Sequence, residues 1–333
     1  MTPRVRILAP NPLRNAAVAL LVAACCAAHA QSGSRITEPP LAPPSRWQAD
    51  RDQLDASLRA RALVAADPRG LWIAGQLDAG DPVGQVSAFA QARQEAPAEK
   101  VYLATLAMAC LVPVQPQPDA CDATDRLADW ATRDADNGVP VLLLAERARQ
   151  HRNTASMLAF LEDAAQRPRF DDYWNRGALL IWEAVRGLPG DADPAARAEL
   201  AASYGAAHES FAARQMQTLC RDARELPDPI RAACNAAGTA AAQLGANWAL
   251  RTAGARMAER SAVPGPAQAA AQLLLSDVQR RAYECAEAGN ALAAALESPD
   301  AAVRARAVAQ WEVRVSQDAQ LGEVAACAAS LKS

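Results

Sequence analysis

Apolar segments recur along the first half of the chain at nearly regular intervals. Four of them follow one another at a spacing of roughly 31 to 40 residues, close to the period of helix-pair repeats, and they are Leu71–Leu77, Val101–Leu111, Val141–Ala148 and Leu179–Val185. More polar segments that carry a single apolar stripe lie between them, such as Thr154–Ala165. This alternation is typical of buried and half-buried helices in stacked pairs. The pattern therefore predicts an array of antiparallel helix pairs.

The composition favours the same class of fold. Hydrophobic residues make up 51% of the chain but aromatic residues only 5%, because alanine dominates the apolar set. Small side chains allow helices to pack closely. No segment shows the sustained alternation with β-branched residues that is typical of a strand. We therefore expect an all-α, α-solenoid-like fold.

Residues 1–30 have the pattern of a signal peptide. Three arginines precede the apolar run Ala16–Ala28, and the triplet Ala28-His29-Ala30 fits a cleavage site after Ala30. The run is too short to span a bilayer. We expect a periplasmic or secreted bacterial protein.

A second interpretation places a lipid on Cys25. The sequence Val22-Ala23-Ala24-Cys25 resembles the lipobox of bacterial lipoproteins, and lipidation would anchor the chain to a membrane. Cleavage after Ala30 leaves six cysteines, an even number, whereas lipidation at Cys25 leaves its neighbour as an odd thiol. The cysteine count favours secretion, and the lipoprotein remains the alternative.

The six remaining cysteines predict a disulfide-braced fold in an oxidising compartment. They are Cys110, Cys121, Cys220, Cys234, Cys285 and Cys327. The first two bracket a proline-rich connection, and the middle two flank the turn at Pro227-Asp228-Pro229 in the same way. Each such bridge closes a short loop, worth on the order of 3 kcal/mol. The last two cysteines pair by elimination, although six cysteines permit 15 connectivities.

Turn-forming residues divide the chain into regions. Residues 31–46 hold four prolines among polar residues and predict a disordered leader. The clearest internal boundary is the segment 188–194, with two prolines and two aspartates. The predicted regions are the signal peptide 1–30, the leader 31–46, a helical-repeat region 47–187, the linker 188–194 and a C-terminal helical region 195–333.

Longer helices are expected in the C-terminal region. One helix is predicted from about Ala195 to Arg224, ahead of the turn at Pro227-Asp228-Pro229. A second is predicted from Ile230 to Arg260, with an interruption near Gly238 or Gly245.

Two stretches resemble known helical repeats. The sequence LESPDAAVRARAVA, residues 296–309, is similar to the start of a HEAT-type repeat, in which a Pro-Asp turn opens a helix with a Val-Arg pair. Residues 67–186 resemble a degenerate tetratricopeptide solenoid in architecture, without the Trp, Leu-Gly, Tyr, Ala, Phe and Pro that the family has at fixed offsets. The resemblance carries no functional residues across. It implies a concave surface for a protein or peptide partner.

Charge and motifs give no reason to expect several common functions. The formal net charge is −3, and no basic cluster offers a nucleic-acid site. Two histidines, His151 and His208, follow the signal peptide, and neither lies in an HExxH pair. The sequence also lacks GxSxG, P-loop, GxGxxG and CxxC motifs. We therefore expect no catalytic residues, no cofactor and no metal site.

One cluster suggests chemistry, the stretch Phe170-Asp171-Asp172-Tyr173-Trp174. Paired carboxylates beside aromatic rings can line a glycan site, with one acid protonated and the other ionised. Adjacent residues of a helix, however, point about 100° apart. A capped helix start with packing aromatics explains the same residues. The sequence favours this second interpretation, and the five residues stand as a possible binding patch.

The sequence leads to one functional hypothesis and two alternatives. The hypothesis is a non-catalytic exported helical-repeat protein that binds an envelope protein or peptide. The first alternative is an enzyme or accessory factor acting on cell-wall polymer, which the Phe170–Trp174 patch motivates. The second is a structural protein with no defined ligand.

Overall fold

The computed structural model describes residues 47–78, 80–112, 121–207 and 210–330. Within these ranges the chain forms fifteen α-helices, which confirms the all-α class. They are α1 Gln48–Val64, α2 Pro68–Leu77, α3 Pro82–Glu95, α4 Lys100–Ala109, α5 Ala123–Arg133, α6 Gly138–Gln150, α7 Thr154–Ala164, α8 Trp174–Arg186, α9 Pro194–Ala207, α10 Phe211–Leu219, α11 Asp228–Leu244, α12 Trp248–Ser261, α13 Pro266–Leu296, α14 Ala301–Leu321 and α15 Glu323–Ser330. The signal peptide, the leader, Cys25 and His208 lie outside the described residues.

Strand-like pairing in the described part of the chain consists of two isolated β-bridges. One joins Asn137 to Arg169, and the other joins Phe170 to Gly245. The segment around residues 169–170 is therefore held between the start of α6 and the α11–α12 junction. A separate finding for the same ranges is that no helix combines the length and the hydropathy needed to cross a membrane.

Acidic and amide side chains start many of the helices. Asp67 accepts hydrogen bonds from the amides of Arg69 and Gly70, and Asp81 accepts them in the same way at the start of α3. In both helices a proline occupies the first turn, where its missing N–H costs no hydrogen bond. Local sequence thus sets these helix starts.

Consecutive helices pack against each other from α2 to α7, and α11 packs along α12. Later helices also fold back on earlier ones: α10 contacts α6, α11 contacts α7, and α14 contacts α8. The two largest apolar cores, one around Trp130 and one around Trp72, each take residues from both sides of segment 188–194. The domain division at 188–194 stays a prediction.

The expectation of one helix from Ala195 to Arg224 was wrong. The structure ends α9 at Ala207 and starts α10 at Phe211. Ser210 caps α10, because its Oγ accepts a hydrogen bond from the amide of Ala213 at 3.1 Å. A serine is a weak signal for a helix start on its own, so the break was not predictable from composition.

The sequence predicted an interruption near Gly238 or Gly245. The structure has it at Gly245, between α11 and α12. Gly238 lies inside α11 and faces Gly254 of α12. A Cβ on Gly238 would lie 2.6 Å from the backbone nitrogen of Ala258, and one on Gly254 would lie 2.6 Å from that of Ala242. The two helices therefore cross with their backbones nearly in contact.

Three disulfides link the described residues, and they are the three pairs that the sequence indicated. Their Cα–Cα distances are 5.0 Å for Cys110–Cys121, 6.2 Å for Cys220–Cys234 and 6.1 Å for Cys285–Cys327. The first two staple consecutive helices, while the third ties α13 to α15. These bridges confirm the disulfide-braced fold and fit an oxidising compartment.

Candidate functional site

The segment 169–174, between α7 and α8, separates two cavities. The first, which we call the aromatic pocket, has a volume of about 260 Å³ and lies among α2, α3, α4, α8 and α10. The second, which we call the charged cavity, has a volume of about 550 Å³ and lies among the starts of α4 and α8, the α11–α12 junction and the α14–α15 turn. Tyr173 lines both cavities, and its backbone is left-handed with φ of 61°. This strained conformation lets successive side chains of the segment face different cavities.

Rings and other apolar side chains form most of the wall of the aromatic pocket. They include Trp72, Phe89, Met108, Trp174, Ile181 and Phe211. Trp72 is held in place by a hydrogen bond from its Nε1 to Thr105 Oγ1 at 3.1 Å. Gly177 makes room for this ring, since a Cβ there would lie 3.2 Å from Trp72 Cη2. These six side chains come from five different helices.

Asp172 brings a buried carboxylate to the same pocket. Its side chain is 4% exposed and accepts hydrogen bonds from the Ser210 hydroxyl and from Asn247 Nδ2, the latter at 2.9 Å. The amide of Trp174 donates to it as well, at 3.2 Å. These donors are all neutral. Burial raises the pKa of Asp172 to about 6, and the hydrogen bond from Ser210 offsets only part of the effect.

A second buried carboxylate, Asp134, organises the other side of the segment. It accepts hydrogen bonds from Lys100 Nζ at 2.7 Å, Asn137 Nδ2 at 2.8 Å and the Tyr173 hydroxyl at 2.9 Å. Arg169 donates to it too. Burial alone would raise the pKa of Asp134, but these donors, two of them cations, outweigh it and hold the pKa below its ordinary value.

The sequence did not single out the Asp134 cluster. Lys100 and Arg169 come to Asp134 from positions 34 and 35 residues away. The one local signal is the turn composition around Asn137, whose side chain also accepts from the amides of Val139 and Asp171. That composition predicts a helix start and says nothing about the cations.

The five residues of the predicted patch are divided among three surroundings. Phe170 is fully buried against Gly138, where a Cβ would lie 2.3 Å from its ring. Asp171 lines the charged cavity, while Asp172 and Trp174 line the aromatic pocket. Both aspartates also accept from backbone amides two residues ahead, as capping interactions do. Binding by the patch stays a prediction, and its two carboxylates face different cavities.

His151 ends α6 as an exposed C-cap residue. Within the described ranges, no three or more His, Cys, Asp and Glu side chains are arranged to hold a metal ion. His151 lines neither of the two cavities.

No protein-family model matches the chain, and no match was found among curated proteins or among solved structures. The resemblance to tetratricopeptide and HEAT repeats therefore stays at the level of architecture, with which the packed neighbouring helices are compatible. Arguments about function depend on the geometry of the two cavities.

Proposed function

We propose that the protein is a non-catalytic exported helical protein that binds a peptide or protein of the bacterial envelope through the aromatic pocket. The observation that carries the proposal is the pocket wall, where rings and other apolar side chains surround about 260 Å³. This volume lies just below the range of whole small-molecule ligands, roughly 300 to 1,000 Å³. It suits one large apolar side chain of a partner, and such buried anchors dominate binding energy at protein interfaces.

Polar groups beside the apolar wall support a peptide ligand. Gln76 and Arg214 line the pocket together with the rings. Amide and guanidinium groups can bond the backbone carbonyls that flank an inserted side chain, which an apolar hole alone would leave unsatisfied. The combination favours a peptide segment over a lipid chain.

The test is a selection of displayed random peptides against the exported chain, followed by binding measurements with a variant that fills the pocket. We expect enrichment of peptides with one shared Phe, Tyr, Trp or Leu. Ala178 lines the pocket on α8, so Ala178→Trp should occupy the space and weaken binding at least roughly tenfold, the loss of about 1.4 kcal/mol. Ala288→Trp, at an exposed position of α13, is the matched control.

Two results would contradict the proposal. One is a selection that enriches no large apolar residue. The other is equal peptide binding by Ala178→Trp and Ala288→Trp when circular dichroism shows both variants folded. Either result would leave the pocket without the role that we assign to it.

A second candidate function is an enzyme or accessory factor acting on cell-wall polymer. Asp172 favours it, because a carboxyl with a pKa of about 6 beside aromatic rings is suited to general acid catalysis. A two-carboxylate mechanism needs a partner acid about 5 to 9.5 Å away, and the adjacent Asp171 faces the charged cavity instead. Loss of wall hydrolysis in a folded Asp172→Asn variant would support this candidate, and hydrolysis at an unchanged rate would exclude Asp172 from it.

Export and cleavage after Ala30 belong to the proposal, and the three disulfides support them. Lipidation at Cys25 is the alternative. The intact mass of the mature protein distinguishes the two, because a lipidated chain would begin at Cys25 and carry acyl groups.

A further inference from the structure

The charged cavity has a different chemistry from the aromatic pocket. Four cationic side chains line it, contributed by three separate parts of the chain, and they are Lys100, Arg169, Arg176 and Arg251. Lys100 and Arg169 already donate hydrogen bonds to the buried Asp134. Arg176 and Arg251 do not take part in that cluster.

Arg176 and Arg251 form no ion pair with a described residue. Arg176 lies half-buried in the first turn of α8. Arg251 is also half-buried; its Nε donates to the carbonyl of Gly245 at 2.9 Å, and its guanidinium lies 5.9 Å from the centre of the Trp248 ring. A guanidinium that is partly withdrawn from water without a counter-charge is costly. The fork of donors on each arginine matches a carboxylate or phosphate group.

Backbone groups also contribute positive electrostatic potential to the charged cavity. The first turns of α4 and α8, at Lys100–Val101 and Asn175–Arg176, both line the cavity. Glu99, the N-cap residue of α4, makes no side-chain hydrogen bond to the free amides of that turn. Helix starts carry partial positive charge and free N–H groups, so both favour a negative group in the cavity.

Three acids also line the cavity, Glu99, Asp171 and Asp318, and burial is the main influence on the pKa of Asp171 and Asp318. Burial raises the pKa of Asp318 to about 7, with a contribution from Glu323 and an opposing one from Arg314. Burial raises the pKa of Asp171 as well, against the nearby Arg169. Both therefore bind protons more readily than ordinary aspartates, and Asp318 becomes neutral and stops opposing an anion in mildly acidic solution.

We propose that the charged cavity binds a small anion bearing carboxylate or phosphate groups, held between the guanidinium groups of Arg176 and Arg251. The site is separate from the aromatic pocket and would stand if no peptide bound there. Its volume of about 550 Å³ lies within the range of small-molecule sites.

Isothermal titration calorimetry of the exported chain tests the proposal, with succinate and inorganic phosphate as the probes. We expect saturable one-to-one binding of at least one probe. Binding of succinate alone would assign a carboxylate ligand, and binding of phosphate alone a phosphate ligand. Absence of saturable binding by both probes up to millimolar concentration would overturn the proposal.

Variants locate the binding in the cavity. Arg176→Gln should weaken it roughly tenfold or more, because charge-assisted hydrogen bonds are lost. Arg251→Gln should act similarly, and Arg251→Lys should retain part of the affinity. Since Arg251 also bonds Gly245, Arg176→Gln is the decisive variant, because the Arg176 guanidinium makes no hydrogen bond to any residue that the structure describes. Arg280→Gln, on the exposed face of α13, is the matched control, and equal affinity of Arg176→Gln and Arg280→Gln would overturn the assignment.

Acidity separates an anion site from a cation site. Between about pH 8 and about pH 6.5, protonation of Asp318, whose pKa burial raises to about 7, should tighten binding of succinate, which keeps both negative charges over this interval. Succinate binding that weakens over this interval would mean that ionised Asp318 does not oppose the ligand, and would overturn the proposal.

Discussion

Asp134 and Asp172 are buried to nearly the same degree, yet their pKa values shift in opposite directions. Their side chains are 1% and 4% exposed. Asp134 accepts from two cations besides neutral donors, whereas the donors to Asp172 are an amide side chain, a hydroxyl and a backbone N–H. The comparison teaches that burial raises the pKa of a carboxyl in this fold unless cationic donors outweigh it. One aspartate is a fixed anion, while the other is neutral in mildly acidic solution.

The largest effect expected from this difference is on folding when Asp134 is removed. Asp134→Ala leaves Asn137 and Tyr173 without their shared acceptor and the partly exposed Lys100 and Arg169 without their counter-charge. Removing the acid of such a network costs about 3 kcal/mol. Urea denaturation at neutral pH measures the change. Asp129→Ala is the control, because Asp129 is 30% exposed in its pairs with Arg93 and Arg133, and it should cost about 1 kcal/mol or less. Similar losses of stability in Asp134→Ala and Asp129→Ala would show that the buried acid contributes no more than the exposed one.

The next effect is a dependence of stability on pH that comes from Asp172. Its folded pKa of about 6 lies above the unfolded value of about 3.9. The folded state therefore holds the proton more tightly, and stability falls as pH rises from about 4 to about 6 and is level above that interval. Asp172→Asn removes this fall and should be more stable than the native chain at neutral pH by about 2–3 kcal/mol. Urea midpoints across this range test it; a variant with the same fall as the native protein would show that another group is responsible.

The smallest effect concerns the exposed half of the Asp134 cluster. Lys100 is 47% exposed, so Lys100→Met should cost only about 1 kcal/mol at neutral pH. The lowered pKa of Asp134 contributes stability that is present above the unfolded pKa and is lost as pH falls through the folded pKa. Without Lys100 this acid-side loss should begin at a higher pH. Acid denaturation, followed by circular dichroism, compares Lys100→Met with Lys100→Arg, which keeps the charge. Coincident denaturation curves would show that the charge of Lys100 does not lower the pKa of Asp134.

The sequence predicts those parts of the fold that depend on neighbouring residues. The starts of α2 and α3 depend on an aspartate and a proline within one turn, at Asp67-Pro68 and Asp81-Pro82. The three cysteine pairs follow from turns that bring two ends together and from an even count. The break before Phe211 was missed, because the capping Ser210 is held in place by a hydrogen bond to Asp172, which is 38 residues away in the sequence.

The candidate site was predicted in part for the same reason. The Phe170–Trp174 patch drew attention to a segment that lies between two cavities. No local pattern, however, reveals that Tyr173 adopts a left-handed backbone or that Asp171 and Asp172 face opposite sides. Nor does composition reveal that Arg176 and Arg251, 75 positions apart in the numbering, line one cavity. These properties belong to the packing of distant helices.

The close crossing of α11 and α12 offers a means to recognise distant relatives of this chain. At Gly238 and Gly254 even a methyl group would meet the backbone of the opposite helix, so a protein that diverges while keeping this crossing has to keep glycine at both positions. Two glycines at this spacing, with the turn at Gly245 between them, form a small evolutionary fingerprint. Sequences too different for alignment can be screened for it, together with the two cysteines that flank the turn before α11.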